Sequence, residues 1–135
     1  MPKGEYPRPG RLTRRAEFLI AAAKGRKAPM PGLVLQALPR NDDGPARLGF
    51  TVTKKIGNAV IRNRTRRRLK EAARLVLGEE EVTGVDLVLI GREATARRDF
   101  AALKDDLRRA LARTQQARYS TRHGAGTRHG AGSPA

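Results

Sequence analysis

Lys54-Lys55-Ile56-Gly57-Asn58-Ala59-Val60-Ile61-Arg62-Asn63-Arg64-Thr65-Arg66-Arg67-Arg68-Leu69-Lys70-Glu71 reads as a tight turn followed by a long cationic helix. Asn58 is placed to cap that helix, because its side-chain oxygen accepts a backbone N–H that the first turn leaves unpaired. Gly57 just before it suits the turn. No Pro or Gly interrupts the chain from Asn58 to Leu77, and Arg, Leu, Ala, Lys and Glu favour helix. Ile61, Thr65, Leu69, Ala72 and Val76 recur at steps of four and three and form one stripe for a core. Asn63, Arg67, Lys70 and Arg74 fall on the far side, with Arg62, Arg64, Arg66 and Arg68 on the flanks.

The charge on this helix is one-sided. Lys54, Lys55, Arg62, Arg64, Arg66, Arg67, Arg68, Lys70 and Arg74 stand against a single acid, Glu71. A solvated helix face ordinarily mixes signs so that pairs form between successive turns. Here the cations repel one another, and a polyanion would supply the missing charge. Arg predominates, and Arg both grips phosphate bidentately and stacks on bases. The whole chain has 135 residues and a formal net charge of +16, the footprint of a nucleic-acid binder. The competing reading is a basic helix that serves solubility alone.

Working outward, residues 1–10 carry three prolines and two glycines and read as an irregular leader. Thr13 is the expected cap of a helix running to Lys24 and stopped by Gly25, with Phe18, Leu19 and Ala22 facing inward. Pro29 and Pro31 break the chain. Leu33 to Leu38 and Arg47 to Thr53 then read as two strands, expected to pair as an antiparallel hairpin across the polar loop from Arg40 to Pro45. In the second strand Leu48, Phe50 and Val52 point to one face and Gly49, Thr51 and Thr53 to the other. Glu79-Glu80-Glu81 lies in an acidic connector. Val85 to Ile90 is an almost continuous apolar run, fitting a central strand covered on both faces. Asp99 is the expected cap of a last helix whose stripe is Phe100, Leu103, Leu107 and Leu111.

The order helix, strand, strand, helix, strand, helix implies an α+β fold, a two-layer sandwich with one small sheet packed by helices. Residues 11–114 form the domain. From Gln115 the pattern ends, and Thr-Arg-His-Gly-Ala-Gly occurs twice in succession, at 121–126 and 127–132. A segment this rich in Gly, Arg and His builds no core and reads as a disordered basic tail over 115–135.

No catalytic constellation is legible. The two histidines, His123 and His129, lie in the tail, and there is no cysteine, which excludes disulfides and Cys-ligated zinc. Asp42-Asp43 and the Glu79 run read as solvated loop charge rather than a Mg²⁺ site. Lys55-Ile56-Gly57-Asn58 lacks the spacing of a phosphate-binding loop. No apolar run is long enough to span a membrane, and the N-terminus lacks the apolar core of a signal peptide. A cytoplasmic protein is expected.

The segment from Lys54 to Glu71 resembles the bacterial ribonuclease P protein component. The family signature K-x-x-G-N-A-V-x-R-N-R-x-[KR]-R is filled by Lys54, Gly57, Asn58, Ala59, Val60, Arg62, Asn63, Arg64, Arg66 and Arg67. A weaker likeness extends from about Arg11 to Arg113. The resemblance implies the protein subunit of a ribonucleoprotein that removes the 5′ leader from precursor transfer RNA. The RNA subunit carries the chemistry with Mg²⁺, which it mainly holds. It implies a left-handed βαβ crossover, against the usual right-handed rule. Asn58, Arg62, Asn63, Arg64, Arg66, Arg67 and Lys70 are then expected to face the catalytic RNA. Phe18, Gln36, Thr51, Thr53, Lys54 and Lys55 are expected to line a cleft for the single-stranded leader.

This chain departs from the family at two points. Ala22 stands where a second aromatic is common, and Gln36 where Tyr is common. Stacking contributes about 1–3 kcal/mol per base, so the groove should depend more on cations and hydrogen bonds. Phe18 also fits a core position by its helical spacing. The implied partners are the catalytic RNA and precursor transfer RNA, with no membrane and no obligate protein partner. The alternative is a general RNA-binding or ribosomal protein, which would share the charge without needing the ordered signature. A DNA-binding helix-turn-helix is disfavoured by the strands between the helices.

Overall fold

In the computed structural model, residues 9–79 and 81–122 are described, with side chains as far as Gln115. The chain runs β1 (Gly10–Arg11), α1 (Arg15–Lys24), β2 (Arg26–Pro29), β3 (Leu33–Pro39), β4 (Arg47–Thr51), a 3-10 turn (Lys54–Ile56), α2 (Ala59–Leu77), β5 (Val85–Gly91) and α3 (Phe100–Arg122). The five strands form one mixed sheet in the order β1-β4-β5-β3-β2.

The apolar run of β5 explains its central place. Val85, Leu87 and Leu89 pack with Leu33 and Leu35 of β3 against Leu69, Ala72 and Val76 of α2 and Leu103, Leu107 and Leu111 of α3. Val88 packs on the other face with Leu12, Ala21, Phe18, Leu38 and Ile90. The α+β class therefore holds, but helices cover both faces of the sheet. The two-layer sandwich is corrected to α1, sheet, and then α2 with α3, because Leu/Val alternation in β3 and β5 leaves apolar side chains on both sides.

The expected hairpin is also corrected. β3 and β4 do not pair. β5 lies between them, antiparallel to β3 and parallel to β4. A strand apolar on both faces is better buried in the middle than at an edge. The edge strands β1 and β2 were not expected at all. Gly10 and Arg11 pair with Arg47 and Leu48, so the irregular leader ends before Gly10. Of that leader only Pro9 and Gly10 are described.

Three smaller expectations change. The cap of α1 is Arg14, not Thr13. Glu17 Oε1 accepts the backbone N–H groups of Thr13 at 3.2 Å and Arg14 at 3.1 Å, and a carboxylate in the first turn suits the helix dipole. Leu19 and Ala22 point outward, Leu19 at 55% exposure. α3 continues past Gln115 to Arg122, because no Gly or Pro stops it before Gly124. The rest of the expected tail, including both histidines, lies outside the described residues.

Candidate nucleic-acid interface

The cap of α2 forms as its residue type predicts: Asn58 Oδ1 accepts the Ile61 N–H at 3.0 Å. Gly57 has φ of 152°, a conformation that L side chains rarely adopt. A Cβ there would also stand 3.1 Å from Ile61 Cβ. This turn joins the 3-10 segment after β4 to the start of α2. Thr65, Leu69, Ala72 and Val76 are fully buried, so the rotation of α2 is set by its apolar stripe.

That rotation turns the cations outward. Asn63, Arg67 and Lys70 are exposed. With Val60 and Arg66 they line a shallow hollow, and Val60 at 71% exposure is an apolar spot among charges. Two of the four flanking arginines are tied down. Arg64 Nε donates to the Ala96 carbonyl at 2.9 Å, and Arg68 donates to the Arg98 carbonyl. The Arg68 guanidinium and Lys104 Nζ sit 5.6 and 5.5 Å from the centre of the Phe100 ring, within cation–π range. The β5–α3 loop thus fixes two arginines of α2, a link that spacing along α2 does not contain.

On the other face of the sheet, α1 and β4 meet at Phe18. The half-buried ring occupies the space over Gly49, on the face that alternation assigns to Thr51 and Thr53. Thr51 is half-buried, and Thr53, Lys54 and Lys55 are exposed just beyond it. Gln36 is only 7% exposed, in the sheet between Lys27 and Val88. The structure therefore brings Phe18, Thr51, Thr53, Lys54 and Lys55 to one margin of the sheet and sets Gln36 deeper. Lys54 and Lys55 join this margin to the α2 surface.

At the opposite end of the strands the charges are paired. Arg47 donates to Asp86 through Nε at 2.9 Å and Nη2 at 2.7 Å, and through Nη1 to Glu17 at 2.9 Å. Arg40 joins Asp86 and Asp42, each at 2.8 Å. Burial pushes the Asp86 carboxyl up, but the hydrogen bonds from Arg47 and Arg40 outweigh it and hold the group below the usual carboxylate range. These residues were missed from sequence. The one signal was a lone acid, Asp86, inside an apolar strand run.

Comparison with known proteins identifies the family. The sequence model described as Ribonuclease P matches residues 6–115. The chain belongs to the bacterial ribonuclease P protein family. It is 69% identical over 101 residues to the ribonuclease P protein component of Gluconacetobacter diazotrophicus, covering 75% of this chain and 87% of that protein. It is 48% identical over 107 residues to that of Paramagnetospirillum magneticum, covering 76% and 80%. The solved RNase P protein from Thermotoga maritima superposes with a TM-score of 0.64 at 30% identity, covering 76% of this chain and 96% of that one.

As a ribonuclease P protein, this chain is a component of the endoribonuclease holoenzyme that processes the 5′ ends of precursor transfer RNA. Among the described residues no group of three or more His, Cys, Asp or Glu side chains is placed to hold a metal ion. No helix among the described residues is long and apolar enough to cross a membrane.

Proposed function

We propose that this ribonuclease P protein binds the catalytic RNA through α2 and the precursor leader through the margin between α1 and β4. Asn58, Arg62, Asn63, Arg64, Arg66, Arg67 and Lys70 form the first surface. Phe18, Thr51, Thr53, Lys54 and Lys55 form the second, with Gln36 at its floor. The observation that carries the reading is the continuity of cations, unpaired among the described residues, from Lys54 and Lys55 onto the exposed Arg67 and Lys70. Two RNA chains brought together repel through their phosphates, and a cationic strip between them lowers that repulsion.

Asn58 has a double role. Its side-chain oxygen caps α2, and its NH₂ group remains as a donor to RNA. The family resemblance implies Mg²⁺ held mainly by the RNA subunit, and no protein residue is assigned to it. The β4–α2–β5 unit joins neighbouring parallel strands, and we assign it the left-handed crossover that the family resemblance implies. A cytoplasmic site of action follows from the same resemblance, as do the catalytic RNA and precursor transfer RNA as partners.

The test is cleavage of precursor transfer RNA at low Mg²⁺ by a bacterial ribonuclease P RNA, with and without this protein. Cleavage should require the protein at low Mg²⁺ and should stop when the RNA subunit is omitted. RNA binding with no effect on cleavage would instead favour a general RNA-binding role.

A further inference from the structure

The groove beside α1 runs across the strands. Early in α1, Phe18 meets Gly49 of β4; after its last turn, Gly25 lies against the Ala37 carbonyl of β3. The helix therefore crosses from one side of the sheet to the other, and the channel along its flank must do the same. Strand register lays out the floor of that channel. Thr51 pairs with Ile90, and Ile90 with Val34, all three half-buried. One row closer to α1, Gly49, Val88, Gln36 and Lys27 are successive cross-strand neighbours.

Lys27 ends that second row. Gly49, Val88 and Gln36 are buried, whereas Lys27 is exposed on the edge strand β2. Its side chain has no hydrogen-bond or ion-pair partner among the described residues. Because cross-strand neighbours share a face, Lys27 stands on the α1 face, the face of Thr51 and Thr53. Three strand spacings separate β4 from β2, about 14 Å. The channel thus has cations near both ends, Lys54 and Lys55 past the C-terminal end of β4 and Lys27 on β2, with Thr51, Ile90 and Val34 along the floor between them and Gln36 buried beside it.

We propose that the single-stranded leader crosses the sheet along α1, over Ile90 and Val34, and that Lys27 holds one of its phosphates at the β2 edge. This rests on the leader-groove reading above and extends it by one subsite, farther from the transfer RNA body than Lys54 and Lys55. Ile90 and Val34 offer apolar contact to base faces but no hydrogen bond to a base edge. The added contact therefore depends on leader length and not on leader sequence.

The test measures the affinity of the reconstituted holoenzyme for precursor transfer RNAs whose leaders are lengthened one nucleotide at a time. The wild-type protein should gain affinity in a second step once the leader reaches Lys27. Lys27→Ala should remove that step, about two- to fivefold for one exposed charge contact. It should also lower the dependence of log affinity on log salt by about 0.7 for the long leader. Lys27→Arg should keep the step, and Lys27→Glu should turn it into a loss. A second step that survives in Lys27→Ala and Lys27→Glu would overturn the Lys27 subsite, while weakened binding by a Lys54→Ala/Lys55→Ala protein would leave the groove reading standing. If the Lys54→Ala/Lys55→Ala protein also bound every leader as the wild type does, both would fall.

Discussion

Phe18 stands where a side chain at residue 49 would have to go. A Cβ built on Gly49 would lie 2.5 Å from Phe18 Cε1 and 2.7 Å from Cζ, well inside contact distance. Leu12 Cδ1 closes the same space at 3.2 Å. The glycine of the Arg47-Leu48-Gly49 strand is therefore required by packing and not by a turn. It lets an aromatic on α1 approach the sheet backbone at the head of the proposed groove.

Gly49→Ala should therefore cost about 1–3 kcal/mol of stability through overpacking. It should also weaken leader binding if the ring is displaced. Adding Phe18→Ala should recover part of that stability, because the two sites share one volume. Denaturant midpoints for the two single variants and the double variant check this. Additive losses would show that the ring moves aside freely.

Arg67 and Lys70 are exposed on α2 and carry no ion-pair partner among the described residues. Replacing both by Ala should leave the fold intact, as measured by circular dichroism and thermal midpoint. It should lower affinity for the catalytic RNA and reduce the salt slope by about 0.9 for each phosphate that is no longer neutralised. Arg64→Ala should behave differently. It also removes the hydrogen bond to the Ala96 carbonyl, so a loss of stability should accompany the loss of binding.

Asp86 should set part of the acid limit of stability. Its folded carboxyl is held below its ordinary value by Arg47 and Arg40, against the opposing effect of burial. A depressed folded value means that the stabilisation is present above the unfolded value of about 3.9 and is lost as pH falls through the folded one. Asp86→Asn should cost about 1–3 kcal/mol at neutral pH, less than a fully buried pair, because the Arg47 side chain keeps 37% exposure. It should also flatten the decline in stability below about pH 4. Urea titrations of both proteins from pH 3 to 7 give the comparison, and equal slopes in acid would remove Asp86 from this role.

What the sequence determined by itself was local. Asn58 as cap, the buried stripe of α2 and its outward cations follow from neighbours within a few residues, which helix periodicity reports directly. The stripe of α3 and the two-sided burial of β5 are legible for the same reason. So is the family, because the ordered residues from Lys54 to Arg67 lie in one continuous stretch. The tertiary structure decided what depends on distant pairing. β5 entered between β3 and β4, two short strands were recruited at the edges, and α1 took the face opposite α2 and α3. Only that arrangement puts Asp86 beside Arg47 and Arg40, Phe18 over Gly49, and Lys27 in one row with Gln36, Val88 and Gly49. Strand order and register arise from contacts between residues far apart in the chain, and the local pattern of any one strand is compatible with several partners.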